Sequence, residues 1–356
     1  MEFGGNLVDL GIPGSQSILK KAFYFFKRVK RLKEIKKEFA PHTSISFLEG
    51  ADYVNLLSSV GEDIFFYVHG SKLYDRNIRG LIGFLRKRVF IPLFYAKADK
   101  ILVVNNRIAE ELSLYFRLSH VDYEVVPNFY DFNEIKRMAR LPLSESIDRF
   151  FKENIVICIS GRLAAEKGID QFVKILPELT DRYKTLKLVL VGDGPEKDAL
   201  VNNLKNLEIS YRTVTTEDWT AYESTSVLFL GYQSNPYRFM SRSYMLVLPS
   251  LNEGMPNTIV EAMGLGVPVI VSDCNYGPRE LLSNQKESSD WPEYSAYGIL
   301  VPVWSHQQSY KSWVIAIDTL IKDSSLRDKY IQQGRSKATE FSKENMISKW
   351  RELLKL

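Results

Sequence analysis

Short apolar runs that alternate with longer helical stretches constrain the fold of this chain more than any other feature. Runs of this length suit buried strands, and the stretches between them are long enough to bring the chain back to the same edge of a sheet. The alternation therefore predicts parallel β-α units. The runs form two series, at 44–47, 63–68, 100–104 and 123–126, and then at 154–160, 186–192, 227–231, 245–250 and 267–273.

The two series indicate two domains. A chain of 356 residues exceeds the size that one ordinary core supports. The segment from 127 to about 151 is charged and poorly patterned, so we interpret it as a linker followed by a helix. We predict an α/β protein with two Rossmann-like lobes, at 1–140 and 141–340, and a C-terminal helix at 341–356 that returns toward the first lobe.

The composition argues against several classes of protein. Hydrophobic residues make up 45% of the chain and charged residues 25%, which is typical of soluble globular proteins. No apolar run is long enough for a membrane span, and the start does not resemble a signal peptide. Cys158 and Cys274 lie in or beside strand-like runs, so we expect reduced core thiols of a cytosolic protein. No Cys/His cluster has zinc spacing, so no metal site is predicted.

The positive charge is concentrated in the first part of the chain, where residues 1–150 carry a net charge of +5. Residues 18–39 contain nine basic and two acidic side chains interleaved with aromatic ones, and 84–95 is a second basic-aromatic run. Such a helix can lie on an anionic membrane surface, with its rings among the headgroups. It can equally be a solvated helix whose aromatic side chains face the core. Nucleic acid is a less favoured partner, because no binding motif accompanies the charge.

Ligands of doubly wound sheets bind at the carboxyl ends of the strands, and glycine turns follow several of the predicted strands. The first strand of the second series ends in GRLAAEKG, which places Arg162 and Lys167 beside a helix start. A guanidinium, an ammonium and helix N-terminal amides together favour an anion. Further turns, GDGP and GYQSNP, follow the next two strands at 192–195 and 231–236.

A fourth strand ends in PSLNEGMPN, which carries one carboxylate in a loop and leads to a second in a helix. Glu253 is predicted in the loop, and Glu261 one turn into the helix, on the same face as Asn257. The helical rise puts the two carboxylates roughly 10 Å apart, which is the reach of a sugar–diphosphate–ribose. One carboxylate could hold sugar hydroxyls and the other ribose hydroxyls. The spacing therefore points to a nucleotide sugar.

These segments, together with CNYGPREL after the last strand, occur in the order that is typical of one enzyme family. From about residue 44 to its end, the chain resembles the retaining glycosyltransferases of the GT-B fold, family GT4. Within that family it is similar to the branch that builds capsular, O-antigen and related surface glycans on lipid carriers. The resemblance is most specific over 245–281.

The resemblance implies roles for residues of the second lobe. Glu253 matches the family's glutamate near the reacting sugar, and Glu261 matches the one that binds ribose. Arg162 and Lys167 match the pair that neutralises the diphosphate. The remaining matches are the helix amides that cap the diphosphate and the loop that faces the base, namely Asn257, Thr258, Tyr232 and Gln233.

In the first lobe, the strand at 65–70 resembles the one whose terminal histidine, here His69, approaches the donor sugar. Family members usually begin with a strand, a Gly-Gly loop, a helix and a second strand that this chain does not show. We therefore expect the first lobe to lack about 50 residues at its N-terminus, roughly two β-α units. We have no functional interpretation of the segment at 208–226, which is longer than the usual link.

The resulting hypothesis is a retaining hexosyltransferase that uses a UDP- or GDP-sugar and a glycan or lipid-linked acceptor. It would work in the cytoplasm, on the inner face of the cell membrane. No Asp-x-Asp motif occurs in the chain, so no obligatory divalent metal and no other cofactor is expected. Two alternatives remain: a non-catalytic, membrane-associated module that binds nucleotide sugars, and a nucleotide-sugar epimerase.

Overall fold

The computed structural model describes residues 5–14, 17–74, 80–215, 219–285, 290–304 and 307–355. The chain divides into two compact units, unit 1 at Met1–Pro127 and unit 2 at Asn128–Leu356. Each unit contains its own sheet of parallel strands, which confirms the predicted α/β class with two sheets.

Unit 1 is built on a four-stranded parallel sheet with the order β1-β2-β3-β4. All four predicted strands are present, as β1 (Thr43–Ser46), β2 (Asp63–Val68), β3 (Lys100–Val103) and β4 (Tyr123–Val125). The helices are α1 (Ile18–Phe39), α2 (Glu49–Leu57), α3 (Gly80–Leu85), α4 (Ile91–Tyr95) and α5 (Asn106–Glu110). Helices α3 and α5 each run directly into a π-helical turn, at Arg86–Phe90 and Glu111–Tyr115.

Unit 2 contains an eight-stranded sheet with the order β11-β12-β10-β9-β5-β6-β8-β7, in which β11 alone is antiparallel to its neighbour. The five strands predicted from apolar runs are present, as β5 (Ile155–Ser160), β6 (Leu186–Val191), β8 (Val227–Gly231), β9 (Met245–Leu248) and β10 (Val269–Ser272). The additional strands are β7 (Tyr211–Thr213), β11 (Glu293–Tyr294) and β12 (Ile299–Val301). Hydrophobic side chains fill both faces of this sheet, as parallel strands require.

The helices of unit 2 cover the two faces of its sheet and extend to the end of the chain. They are α6 (Phe132–Ala139), α7 (Glu145–Glu153), α8 (Ile169–Phe172), α9 (Leu176–Arg182), α10 (Lys197–Asn206), α11 (Tyr237–Met240), α12 (Asn257–Leu265), α13 (Pro278–Leu282), α14 (Gln307–Lys322), α15 (Ser324–Thr339) and α16 (Lys343–Leu354).

The segment at 208–226, which had no interpretation in the sequence, supplies an edge strand and a core side chain. Strand β7 pairs with β8 at the sheet edge. Trp219 is 1% exposed and packs against the rings of Phe150, Phe151 and Phe239. The extra length of this link is therefore used to bury a tryptophan beside α7.

The boundary between the units lies before α6, whereas the sequence placed it at 140/141. Tyr130 explains the difference, because its backbone bonds in both directions to the segment that joins α15 and α16. Its N–H donates to the carbonyl of Phe341, and its carbonyl accepts from the N–H of Lys343. Helix α16 belongs to unit 2. Its predicted return toward the first lobe stays a prediction.

Candidate functional site

The loops that follow β5 and β6 interlock through glycines. An added Cβ on Gly192 would lie 1.9 Å from the carbonyl oxygen of Gly161, and one on Gly194 would lie 2.3 Å from that of Leu163. The N–H of Leu163 donates to the carbonyl of Asp193. Both glycines are therefore required for the approach of one loop to the other. The approach fixes the start of the segment that carries Arg162 and Lys167.

Gly168 brings the same segment against the loop after β9. Its φ of +63° is in the left-handed region, and an added Cβ would lie 2.2 Å from the carbonyl oxygen of Pro249. The N–H of Leu251 donates to the carbonyl of Glu166, and the indole N–H of Trp304 donates to that of Pro249. The close contact at Gly168 places Lys167 directly beside the loop that carries Glu253.

Glu253 lies in the loop after β9 and is held by two donors. The Nζ of Lys167 donates to its Oε1 at 2.7 Å, and the Oγ of Ser250 donates to the same oxygen at 2.5 Å. Only 9% of the Glu253 side chain is exposed. Among the described residues, Oε2 has no hydrogen-bond donor. The carboxylate is thus fixed through one oxygen, and the other is available to a ligand.

Ser250 is itself fixed from β10. It is completely buried, and its carbonyl accepts a hydrogen bond from the hydroxyl of Ser272, the last residue of that strand. Sequence reasoning missed both serines. No pattern distinguishes Ser250, which lies two residues after β9, from other small polar residues, and nothing in the sequence links Ser272 to it.

Arg162 is placed differently from Lys167. Its guanidinium is 67% exposed and donates to Glu166 at 2.5 Å, one turn further along the chain. The two cations that the sequence groups together therefore differ in burial: Lys167 is 24% exposed and bound to the central carboxylate. Arg162 is a peripheral cation of the site.

Helix α12 begins at Asn257 and presents its N-terminus next to the loop of Glu253. The preceding Pro256 provides no side-chain cap, so the first amides of the helix, including those of Asn257 and Thr258, depend on other partners. The side-chain oxygen of Asn257 accepts from Asn128 at 2.8 Å and from Tyr130 at 2.7 Å. The Asn257 side chain is thereby turned to the start of unit 2, and the helix end favours an anion.

Glu261 lies in α12, as predicted, and its carboxylate is half-buried. Burial raises the pKa of this carboxyl above its usual value, and the hydrogen bond from the hydroxyl of Tyr237 at 3.2 Å offsets part of the rise. Tyr237 is its one hydrogen-bond donor within the described part of the chain. Sequence reasoning missed Tyr237, which lies at the start of α11, just after the segment interpreted as base-facing.

The two residues of that segment differ in exposure. Tyr232 is 81% exposed, so its ring is available to stack on a planar group. Gln233 instead folds back, and its Nε2 donates to the carbonyl of Leu230 at 2.8 Å. Tyr232 is therefore the better placed of the two to contact a base.

His69 belongs to unit 1 and directly follows β2, as predicted. Its ring packs on those of Tyr67 and Phe47, with centroid distances of 4.1 and 5.9 Å. The side chain remains exposed, but this packing desolvates the imidazole and, with the nearby Lys72 ammonium, lowers the pKa of His69. A neutral imidazole at neutral pH can accept a proton or a hydrogen bond at this strand end.

In the described ranges, no three His, Cys, Asp or Glu side chains are grouped where they could hold a metal ion. Metal independence stays a prediction. Cys158 and Cys274 are buried free thiols, and burial raises the pKa of Cys158 to about 12.

Several known proteins are similar to this chain along most of its length. An uncharacterized glycosyltransferase of Methanocaldococcus jannaschii is 28% identical over 96% of this chain and 86% of the relative. N-acetylgalactosamine-N,N'-diacetylbacillosaminyl-diphospho-undecaprenol 4-alpha-N-acetylgalactosaminyltransferase of Campylobacter jejuni is 26% identical over 95% of this chain and 82% of that enzyme. The crystal structure of Anabaena HepE with UDP and glucose covers 97% of this chain and 84% of HepE, with a TM-score of 0.71 and 18% identity, which shows a common fold.

The family model described as Glycosyl transferases group 1 matches residues 144–337, more than half of the chain. The match contains β5 to β12 and every residue of unit 2 that the sequence assigned to the donor site. The chain belongs to the glycosyl transferases group 1 family.

Proposed function

We propose that this glycosyltransferase transfers a hexose-type sugar, with retention of configuration, from a UDP- or GDP-sugar to a glycan or lipid-linked acceptor in surface polysaccharide synthesis. The observation that carries the proposal is the placement of Glu253. A nearly buried carboxylate is fixed through one oxygen by Lys167 and Ser250, beside the N-terminus of α12. A carboxylate, a cation and helix amides in one place match the sugar and the diphosphate of such a donor.

The chemistry follows from the charges of the site. Glycosyl transfer passes through an oxocarbenium-like centre while the diphosphate leaves and gains negative charge. Lys167, Arg162 and the first amides of α12 would stabilise that charge more in the transition state than in the ground state. Glu253 would contact the sugar, Glu261 the ribose hydroxyls and Tyr232 the base. No step in this scheme needs a divalent metal.

The known relatives support the choice of substrates. The Campylobacter jejuni enzyme is named for a diphospho-undecaprenol substrate, and another relative is the amylovoran biosynthesis glycosyltransferase of Erwinia amylovora. HepE was crystallised with UDP-glucose as well as with UDP and glucose. We therefore propose that this chain uses a nucleoside-diphosphate sugar as its donor and a glycan or a lipid-linked glycan as its acceptor.

The test is a transfer assay with the purified full chain, UDP- and GDP-hexoses and polyprenyl-diphosphate-linked glycan acceptors. We expect acceptor-dependent release of the nucleoside diphosphate and a product with the anomeric configuration of the donor, by NMR. Activity should persist in EDTA and be lost in Glu253→Gln. Strict dependence on manganese or magnesium contradicts the metal-free scheme. An isomerised nucleotide sugar without acceptor indicates an epimerase, and nucleotide binding without turnover on any acceptor indicates a binding module.

Helix α1 supports a membrane-associated acceptor. Leu19, Phe23 and Phe26 share one face of the helix by their spacing, and they are 83, 65 and 66% exposed. The exposed lysines Lys27 and Lys30 lie beside this face. Thus Phe23 and Phe26 face solvent and not the core. We propose that this face rests on an anionic bilayer, at the inner side of the cell membrane. Within the described ranges, no helix is long and apolar enough to cross a membrane.

Vesicle binding tests this proposal. We expect the protein to sediment with anionic vesicles at low salt and to be released as ionic strength rises. A charge-reversal variant should spare Arg28, because this side chain donates to the carbonyls of residues 12 and 13. Lys27→Glu with Lys30→Glu is the cleaner variant and should abolish binding.

The matched control carries the same charge reversal on exposed lysines of unit 2, Lys205→Glu with Lys329→Glu, and should bind as the wild type does. Equal loss of binding in both double variants would indicate a general charge effect. Absence of wild-type binding at low salt would leave α1 as a solvated helix and would favour a soluble acceptor.

A further inference from the structure

The loop at 69–74 directly follows β2 and carries His69. Its shape is held by the carboxylate of Glu111, which is 7% exposed and lies outside the loop. Oε1 of Glu111 accepts from the backbone N–H of Lys72 at 2.7 Å and of Leu73 at 3.1 Å. Oε2 accepts from the hydroxyl of Ser71 at 2.5 Å. One carboxylate therefore binds three consecutive loop residues.

The Ser71 hydroxyl extends this arrangement along the loop. It accepts from the backbone N–H of Tyr74 at 3.0 Å while it donates to Glu111. The hydroxyl can serve both neighbours only in one orientation. The loop backbone from Ser71 to Tyr74 is thus held by one side chain, that of Glu111, either directly or through the Ser71 hydroxyl.

The carbonyl side of the loop is held by cations. NH1 of Arg86 donates to the carbonyl of Lys72 at 3.4 Å, and Nζ of Lys87 donates to that of Leu73. Arg86 is itself fixed by a forked pair with Glu49, in which Nε and NH2 lie 2.9 and 2.6 Å from the same Oε2. Donors and acceptors of the loop are therefore both satisfied by charged groups from outside it.

Glu111 and Arg86 share an unusual position in the chain. Each is the first residue of a π-helical turn, Glu111–Tyr115 after α5 and Arg86–Phe90 after α3. A π turn rotates the side chains that follow relative to an α-helix, and such turns are concentrated at functional sites. The two irregular turns carry the three side chains that hold the loop at 69–74 from outside, namely Glu111, Arg86 and Lys87.

We propose that Glu111 is a positioning residue for sugar transfer, which holds the loop at 69–74 so that His69 and the loop meet the substrate in one arrangement. This inference rests on the proposed function for the role of His69. A buried carboxylate is a costly way to shape an ordinary loop, because neutral groups could supply the same hydrogen bonds. A charged group in this place indicates that the loop needs a rigid geometry, and small displacements of a reacting group reduce rates strongly.

The experiment compares Glu111→Ala, Glu111→Gln and, as matched controls on the same helix, Glu110→Ala and Glu110→Gln. Glu110 is the neighbouring, exposed glutamate. We expect Glu111→Ala to lower kcat about tenfold to a hundredfold, in line with the cost of misplacing a reacting group. Nucleoside-diphosphate affinity should stay unchanged, because the donor residues lie in unit 2. Glu111→Gln keeps one acceptor oxygen and should restore most of the rate.

A spectroscopic measurement separates positioning from general stability. The imidazole resonances of His69 should titrate at a different pH, or broaden, in Glu111→Ala and return to the wild-type behaviour in Glu111→Gln. If Glu111→Ala does not fold, Ser71→Ala removes one contact of the carboxylate and the link to Tyr74, and it should show the same changes more weakly.

The outcomes are distinct from those of the transfer assay. Absence of transfer activity in the wild-type protein would contradict the proposed function. The His69 titration would still test whether Glu111 fixes the loop. The inference is overturned if kcat and the His69 titration are unchanged in Glu111→Ala. It is also overturned if kcat, nucleotide affinity and the midpoint of thermal unfolding all fall together, since Glu111 would then be merely structural.

Discussion

The loops that follow β2 and β9 are each organised by a glutamate of their own. The glutamate is part of the loop after β9, but it lies outside the loop after β2. After β9, Glu253 is part of the loop and is held from outside by Lys167. After β2, the described loop residues 69–74 carry no carboxylate, and Glu111 holds them from outside. The first arrangement presents a carboxylate to a ligand, whereas the second uses a carboxylate to shape the backbone.

The largest expected effect concerns the presented carboxylate. Glu253→Gln should lower kcat about a hundredfold to a thousandfold, the usual cost of removing one preorganised electrostatic group at a reacting centre. Nucleoside-diphosphate binding should change much less, because the proposed partner of this carboxylate is the sugar and not the nucleotide. Steady-state kinetics and calorimetric titration with UDP or GDP measure the two quantities. A variant that loses binding and turnover equally would place Glu253 on the nucleotide, and the comparison would fail.

Gly168→Ala tests whether the loop after β9 is held as closely as described. The added methyl would meet the carbonyl of Pro249, and the left-handed φ adds strain, so we expect a loss of about 3 kcal/mol in the free energy of unfolding. Gly231→Ala is the matched control, because Gly231 has nearly the same φ, +65°, and open space around it. The control should cost about 1 kcal/mol. Equal losses in urea unfolding would show that only the backbone angle matters.

Lys167→Ala and Arg162→Ala sharpen the description of the anion site. Each should weaken nucleoside-diphosphate binding by about 1–3 kcal/mol, the range of charge-assisted hydrogen bonds. We place Lys167→Ala at the upper end, because Arg162 is largely exposed and more screened by water. Titration calorimetry at two salt concentrations checks the order. The opposite order would make Arg162 the principal partner of the diphosphate.

The smallest expected effect concerns Glu261, whose carboxylate accepts a hydrogen bond from the neutral hydroxyl of Tyr237. Burial raises the pKa of Glu261, so the native state keeps this proton to a higher pH than the unfolded chain does. Stability therefore falls as pH rises through the window between the unfolded and native values. Glu261→Gln should raise the midpoint of thermal unfolding slightly at pH 7, with the difference vanishing in acid, while nucleotide binding weakens. A lower midpoint at pH 7 would contradict this account.

The sequence was sufficient where structure depends on local pattern. Apolar runs identified β1 to β6 and β8 to β10, because buried parallel strands are apolar on both faces. Glycines and charged residues at strand ends indicated Lys167 and Glu253 as neighbours, and the two form an ion pair in the structure. Strands β7, β11 and β12 were missed because two or three residues carry no periodicity. Strand β4 is equally short, but Val126 extends its run to four residues.

The residues that sequence reasoning missed depend on contacts between distant segments. Ser250 and Tyr237 act on the predicted carboxylates, but their hydroxyls have no pattern that distinguishes them from other surface or core hydroxyls. Glu111 and Arg86 meet the loop at 69–74 only in the folded unit, each from a π-helical turn that no spacing rule indicates. Side chains that position the candidate site residues are therefore harder to recognise in the sequence than those residues themselves.

The ion pair between Lys167 and Glu253 should let the site discriminate between the intact donor and its fragments. The two charges compensate each other, so a ligand that separates them must offer a replacement to both. A free sugar offers hydroxyls to the carboxylate but no anion to the ammonium, and inorganic phosphate offers the reverse. If Lys167 and Glu253 have the proposed roles, only the intact donor replaces both partners at once. After transfer, the nucleotide interacts with the lysine alone, and the glutamate regains its partner when the nucleotide leaves. Re-formation of the pair then favours release of the product and resets the site.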